Sequence, residues 1–206
     1  MAVEDRKQKE KLQRYNSILD AAEKIMQADG LYNLNMDLVA KETQLAKGTL
    51  YLYFKSKEEI LGALSVKARN LLLNHFEKAA KKTDDPIEQL KAIALATFNF
   101  YKKYPFYFEL IAIYEVNNKL EETEEIKLSI NRLFQFQVAI TQKAKEQEML
   151  NADLDPIQFA FCLWGMLIGM TQLIKVRGAV MKGYQGFTEK DLIATFIQQL
   201  ERGAKK

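Results

Sequence analysis

Helix-breaking residues are sparse in this chain, and several stand where a helix would begin. The 206 residues include nine glycines and three prolines, and no segment alternates apolar and polar residues as a strand does. Two prolines directly follow an aspartate, in Asp85-Pro86 and Asp155-Pro156. A capping aspartate followed by proline at the first helical position is a common helix start. The pattern therefore predicts an all-α protein.

The spacing of apolar residues between these breakers predicts about nine helices. They are expected near residues 6–28, 37–43, 47–53, 57–82, 86–102, 105–116, 123–147, 156–176 and 189–202, with Gly178, Gly183 and Gly186 in the last loop. The pattern Ser56-Lys57-Glu58-Glu59 is typical of a capping box and marks the start of the fourth helix. The longest apolar stretch, residues 159–174, is shorter than the roughly 20 residues of a membrane-spanning helix. We interpret it as a buried core helix and expect no membrane partner.

The scarcity of reactive side chains argues against an enzyme. The chain has one cysteine, Cys162, and one histidine, His75, which has no evident catalytic partner in the sequence. We find no set of nucleophile, base and orienting group, and no His-rich metal site. No metal, cofactor or internal disulfide is expected, and a single cysteine fits the reducing cytoplasm.

Charge is concentrated near the start of the chain. The net charge is only +3, but residues 6–14 contain five basic side chains against the acidic Glu10. Such a run is usually a solvated helix face, and by itself it is weak support for DNA binding.

Two short helices after a longer one predict a helix-turn-helix, whose second helix enters the major groove of DNA. Its apolar anchors are Val39, Ala40, Leu45, Leu50 and Phe54, which can pack on Ile18, Ala22 and Ile25 of the first helix. On the opposite side Lys47, Gly48 and Tyr51 share a face. Glycine lowers helix stability by roughly 1 kcal/mol relative to alanine, so Gly48 indicates that something approaches the backbone closely.

Residues 35–60, NMDLVAKETQLAKGTLYLYFKSKEEI, resemble the DNA-binding signature of the TetR/AcrR family of bacterial transcriptional regulators. The resemblance is specific over about residues 17–64. It implies base-facing or groove-lining roles for Lys47, Gly48, Thr49 and Tyr51, and phosphate contacts for Asn35, Tyr53 and Lys57. Two positions depart from the family pattern. Gln44 stands where the family usually has glycine, and Ala46 stands where a serine or threonine would cap the helix.

The resemblance also implies two domains, a three-helix DNA-binding domain at residues 1–56 and a helical ligand-binding and dimerisation domain at 57–206. Aromatic side chains at helical spacings supply most candidates for the ligand pocket, although most must fill the core. These candidates are Phe98, Tyr101, Phe108, Tyr114, Asn131, Phe134, Trp164 and Gln172. The dimer interface is expected at Gly165, Gly169, Leu192, Phe196, Ile197 and Leu200, with packing inside the subunit as the competing interpretation.

The function that follows is a cytoplasmic regulator, not an enzyme. The chain is expected to bind a palindromic operator in double-stranded DNA as a homodimer, to act as a repressor, and to be released by a small apolar effector. Three alternatives stay open at this point. They are an activator or co-repressor-dependent regulator, a DNA-binding protein whose second domain binds another protein, and a helical small-molecule enzyme.

Overall fold

The computed structural model describes residues 2–116, 122–151, 153–184 and 186–204. In these ranges the chain forms nine α-helices and no strand, as the sequence predicts. The helices are α1 Ala2–Asp29, α2 Met36–Thr43, α3 Lys47–Tyr51, α4 Lys57–Ala80, α5 Pro86–Lys103, α6 Pro105–Val116, α7 Glu124–Glu146, α8 Pro156–Tyr184 and α9 Glu189–Ala204. A short 3₁₀ turn, Leu31–Asn33, links α1 to α2.

The predicted helix caps are present. Asp85 Oδ1 accepts hydrogen bonds from the backbone N–H groups of Ile87 and Glu88, at 2.8 and 3.2 Å. Asp155 caps α8 in the same way. At the start of α4, Ser56 Oγ accepts from Glu59 N–H, while the Glu59 carboxylate reaches the N–H of Lys55.

Two helices are much longer than predicted. The first begins at Ala2, and α8 continues to Tyr184 through Gly178 and Gly183, for which the sequence predicts a loop. A glycine inside a helix costs only about 1 kcal/mol, so it weakens the helix without ending it. Gly186, with φ of +70°, does lie outside the helix.

The chain divides into two compact units. The first comprises Met1–Ala68 and Glu109–Ile126, and the second comprises Arg69–Phe108 and Lys127–Lys206. Helices α4, α6 and α7 each have residues in both units. The functional division into residues 1–56 and 57–206 stays a prediction.

The core of the first unit is the one the apolar spacing predicts. Ile18, Ala22, Val39 and Leu50 are fully buried, and Ala40, Phe54 and Ile25 are nearly so, whereas Leu45 is only half-buried. The ring of Tyr15 stacks on Phe54 with 4.9 Å between centroids, a contact that the sequence did not indicate. These contacts fix α1 against the helix-turn-helix.

Gly62 allows a close approach within the same unit. A Cβ atom at this position would lie 3.0 Å from Ile126 Cδ1 and 3.5 Å from Tyr114 Oη. The first turns of α4 therefore pack tightly against the end of α6 and the start of α7.

In the second unit, α5 packs against both α8 and α9. The rings of Phe98 and Phe196 meet edge to face at 6.1 Å. Ion pairs join α5 to α9 on either side of this contact, from Lys91 to Glu201 and from Lys102 to Glu189. Helix α9 thus turns its apolar stripe towards its own subunit.

Helix α8 is buried on one side and exposed on the other. The prediction of a buried core helix is therefore correct for one side only. Ala160, Leu163, Leu167, Thr171 and Ile174 are buried, whereas the opposite side exposes Ile157, Phe161, Met166, Leu173, Val176 and Val180. By length and composition alone, its segment Pro156–Met181 could cross a membrane. This is weak evidence, because the core helix of a soluble protein passes the same test.

Candidate nucleic-acid interface

The turn of the helix-turn-helix is built around Gln44. The side chain of Asn35 caps α2 by accepting a hydrogen bond from Leu38 N–H at 2.9 Å. At the other end of α2, Gln44 has φ of +55° and ψ of +27°, in the left-handed region that favours glycine. Its backbone N–H donates hydrogen bonds to the carbonyls of Ala40 and Lys41. This conformation explains why glycine is the usual residue at this position of the resembling family.

Helix α3 begins without a side-chain cap. Ala46 is its N-cap residue, and its methyl group cannot accept a hydrogen bond. The next glycine, Gly48, is exposed, and a Cβ atom there would meet no atom within 4 Å among the described residues. The protein's own packing does not require a glycine at this position. A glycine that the protein's own packing does not require is consistent with close approach of an external partner to the backbone.

The helix-turn-helix presents a wide, open concavity on its surface. Its lining residues are Asn35, Met36, Asp37, Leu38, Tyr51 and Lys57. Three of them, Asn35, Tyr51 and Lys57, are residues that the sequence predicted to contact DNA. The concavity joins the start of α2, the end of α3 and the start of α4.

Lys47 is tied to this surface by an ion pair. Its Nζ lies 2.7 Å from Asp37 Oδ1, and both side chains are about two-thirds exposed. The hydrogen bond to Asp37, with its negative charge, raises the pKa of Lys47 above its ordinary value. Lys47 therefore stays charged at neutral pH, although part of its charge is already neutralised by Asp37.

Tyr53 lies on a different surface. It lines a second concavity of about 290 Å³ together with Tyr15, Glu58, Glu59 and Glu125. Burial and the charge of Glu125 raise the pKa of Tyr15. The carboxylates around Tyr53 disfavour a phosphate there. Tyr53 does not lie with Asn35, Tyr51 and Lys57 in the first concavity, although the sequence predicted that it contacts phosphate.

Two residues of the candidate interface were missed by sequence reasoning. Asp37 was treated only as the start of α2, and Leu52, which follows Tyr51, is 82% exposed. An exposed leucine beside a recognition helix can make apolar contact with a thymine methyl group. Its position directly after the Lys47, Gly48, Tyr51 face was the signal available in the sequence.

The predicted ligand residues do not form one group. Phe98 and Phe108 are buried in the second unit, where Phe108 meets Tyr101 edge to face at 5.6 Å. Trp164 and Gln172 are half-buried on α8, and Asn131 is exposed on α7. Phe134 packs on the exposed Phe161, and Tyr114 belongs to the first unit.

The predicted interface residues are also divided. Gly165 and Gly169 lie on the exposed side of α8, and a Cβ atom at either would meet no described atom within 4 Å. On α9, Phe196 and Leu200 are buried inside the protomer, and Leu192 and Ile197 are half-buried. Among the described residues no cluster of three or more potential metal ligands exists.

The fold and the site define a helix-turn-helix protein with an attached all-helical unit. Residues 18–64 match the model of the bacterial regulatory proteins of the tetR family. This match places a DNA-binding region of the tetR type at residues 18–64 of the chain. It confirms, over these residues, the resemblance to this family of regulators that the sequence predicted.

A curated relative matches less than half of the chain. The chain is 31% identical over 91 residues to the fatty acid metabolism regulator protein of Bacillus subtilis, which covers 44% of this chain and 47% of that protein. The chain thus spans about half the length of this curated relative.

Solved structures resemble the whole fold. The fatty acid degradation regulator FadR from Bacillus halodurans is 22% identical, with a TM-score of 0.65 over 91% of this chain and 94% of that chain. AibR, solved with isovaleryl coenzyme A and operator DNA, is 20% identical, with a TM-score of 0.66 over 93% and 99%. These likenesses show the fold alone.

Proposed function

We propose that the protein is a cytoplasmic transcriptional repressor that binds a palindromic operator as a homodimer and is released by a small effector with an apolar part. The observation that carries DNA binding is the surface on which Asn35, Tyr51 and Lys57 converge beside the exposed Gly48. A symmetric dimer would place two copies of α3 on half-sites about one DNA turn apart.

The exposed side of α8 supports the homodimer. Its large apolar side chains include Phe161 and Val176, which are 70% and 69% exposed, and Gly165 lies between them on the same side. Contiguous exposed apolar surface of this kind marks an interaction site, and small residues let a second helix approach closely. We propose that this side of α8 packs on its counterpart in a second copy.

A buried amide in the second unit supports the effector. Gln137 on α7 is 1% exposed, and neither Oε1 nor Nε2 has a hydrogen-bond partner in the described protein. The buried hydroxyls of Thr97, Thr141 and Thr171 instead donate to carbonyls of their own helices. A buried polar group without a partner costs about 1–3 kcal/mol, so a ligand that bonds Gln137 would gain affinity.

The relatives suggest an effector class. Two are described as fatty acid regulators, and AibR was solved with isovaleryl coenzyme A. We propose an acyl thioester, whose apolar chain would suit the aromatic core and whose carbonyl could accept a hydrogen bond from Gln137 Nε2.

The test of DNA binding compares two substitutions. Tyr51→Ala should cost roughly 1–3 kcal/mol on an operator selected from random duplexes and little on mixed-sequence DNA, because it removes a base contact. Lys57→Ala should weaken both about equally and reduce the salt dependence, because it removes a phosphate contact. Equal losses on both DNAs for both variants would contradict the assigned roles.

A further inference from the structure

The first helix extends well beyond the body that it supports. From Tyr15 onwards α1 packs on the helix-turn-helix, but residues 4–14 are all exposed. At 1.5 Å per residue, the helix from Ala2 to Arg14 is roughly 20 Å long. We call residues 6–14 of this exposed segment the basic arm.

The charges of the basic arm are arranged on one side. Lys7, Lys11 and Arg14 follow the spacing of four and three residues that puts side chains on the same helix face. Within the described residues none of these three forms an ion pair, whereas Arg6 is paired with Glu10 at 3.0 Å. Three free cations thus lie along roughly 10 Å of helix.

This basic face continues the face by which α1 docks. The same spacing leads from Arg14 to Ile18, Ala22 and Ile25, which are buried against the helix-turn-helix. The arm leaves the packed body at the Tyr15–Phe54 stack, and Phe54 is directly followed by Lys55 and then by Lys57 of the concavity. The arm thus begins beside the loop that joins α3 to Lys57, and its charge complements phosphate.

We propose that the basic arm is a second DNA contact, in which Lys7, Lys11 and Arg14 bind backbone phosphates outside the segment read by α3. The proposal rests on the DNA-binding function proposed above and extends its footprint. Phosphate contacts position a protein without reading bases, so the arm should strengthen binding to all duplexes by a similar factor. Its contribution should decrease steeply with salt.

The test replaces all three residues by glutamine, Lys7→Gln, Lys11→Gln and Arg14→Gln, which keeps helix propensity. Kd is measured from 50 to 300 mM NaCl on a selected operator and on a mixed-sequence 40-base-pair duplex. Loss of three phosphate contacts per protomer should flatten the slope of log affinity against log salt by about 2.7 for each protomer, or about 5.4 for the bound dimer. Hydroxyl-radical footprints of the operator should lose protection at their outer edges and keep it at the centre.

The matched control is Lys78→Gln, Lys81→Gln and Lys82→Gln, which changes net charge equally in exposed residues of the second unit. If the control flattens the slope as much as the arm variant, or if the arm variant keeps the full slope and footprint, the proposal is wrong while operator binding stands. If the unaltered protein binds neither duplex, the proposed function itself fails. Circular dichroism should show both variants fully helical.

Discussion

At the scale of single residues, the candidate DNA interface contains one acidic side chain, Asp37, whose charge opposes DNA binding. Asp37 pairs with Lys47 at 2.7 Å and also lines the concavity with Tyr51 and Lys57. Near a phosphate backbone its carboxylate would repel DNA and compete for the lysine. The pair is well placed to hold Lys47 in position before DNA arrives.

We expect Asp37→Asn to tighten binding to operator and mixed-sequence DNA alike, because it removes a negative charge that repels phosphate and leaves the charge of Lys47 unneutralised. The salt slope should steepen by about one per protomer. Fluorescence anisotropy across a salt series measures both effects. Asp153→Asn, which removes the same charge from the second unit, should leave affinity nearly unchanged, and weaker binding by Asp37→Asn would mean that Lys47 needs its partner.

The left-handed Gln44 predicts a stabilising substitution. Its backbone conformation costs an L-residue about 1–2 kcal/mol that glycine does not pay, although glycine loses more entropy on folding. Gln44→Gly should therefore raise the free energy of unfolding by about 1 kcal/mol in urea titrations. Lys41→Gly, inside α2, is the control and should lower it by about 1 kcal/mol. A loss of stability in Gln44→Gly would show that the Gln44 side chain makes a stabilising contact.

Gln137 offers a substitution with opposite effects on stability and response. Gln137→Leu removes a buried amide without partners, so thermal unfolding should shift upwards by the equivalent of about 1–3 kcal/mol. The same change should weaken isovaleryl coenzyme A binding in a calorimetric titration. Thr141→Val is the control, because that hydroxyl is already bonded to a carbonyl of α7 and should not affect the ligand. Unchanged ligand affinity in Gln137→Leu would place the effector elsewhere.

The residue scale also shows what the sequence could and could not predict. The Asp85 cap, the position of Gly48 away from the core and the start of α4 follow from local rules, and the structure bears them out. The Asp37–Lys47 pair depends on the angle between α2 and α3, and the turn of Tyr53 towards Glu58 depends on where α3 ends. Neither is encoded in residue spacing.

At the scale of elements, helices α8 and α9 show how much the spacing of apolar residues predicts about buried helix faces. The apolar stripe on α9 indicates a buried face, but not whether its own subunit or a partner covers it. The structure places Phe196 against Phe98 and buries Leu200 within the protomer. Helix α8 is apolar on nearly all sides, so its sequence does not distinguish the buried side from the exposed one.

This arrangement predicts how to obtain a folded monomer. Phe161→Glu with Val176→Glu places charges on the exposed side of α8, so the dimer should dissociate at micromolar concentration while helix content is retained. Light scattering and circular dichroism measure the two properties. The paired control, Phe196→Glu with Leu200→Glu, should instead unfold the second unit because those side chains are buried. An intact dimer in the first variant would move the interface away from this side of α8.

At the scale of the whole molecule, three helices have residues in both compact units, and α4 also carries Lys57 at its start. We propose that the effector acts on DNA through these helices. Saturating isovaleryl coenzyme A should lower operator affinity some 5- to 150-fold, and operator DNA should lower effector affinity by the same factor. Coenzyme A alone is the control. An unchanged operator affinity would mean that isovaleryl coenzyme A is not the effector. A higher operator affinity would make isovaleryl coenzyme A a co-repressor.

A substitution at Gly62 tests whether the effector influences DNA binding through the contact of α4 with α6 and α7 in the first unit. A larger side chain there must displace Ile126 and Tyr114, because even a Cβ atom would lie 3.0 Å from Ile126 Cδ1. Gly62→Leu should therefore keep effector binding in the second unit but reduce the effector's influence on operator affinity. Gly183→Leu, where a Cβ would meet no described atom within 4 Å, is the matched control. Full coupling in Gly62→Leu would exclude this contact from the route.

The half-buried Trp164 has an optical consequence. It is the single tryptophan of the chain and belongs to the second unit, so emission excited at wavelengths that tyrosine does not absorb reports on one known position. Its emission follows the melting of the second unit, whereas ellipticity follows the helices of both. If the helix-turn-helix melts first, the two curves will separate, and the interval between them will measure how independently the two units unfold.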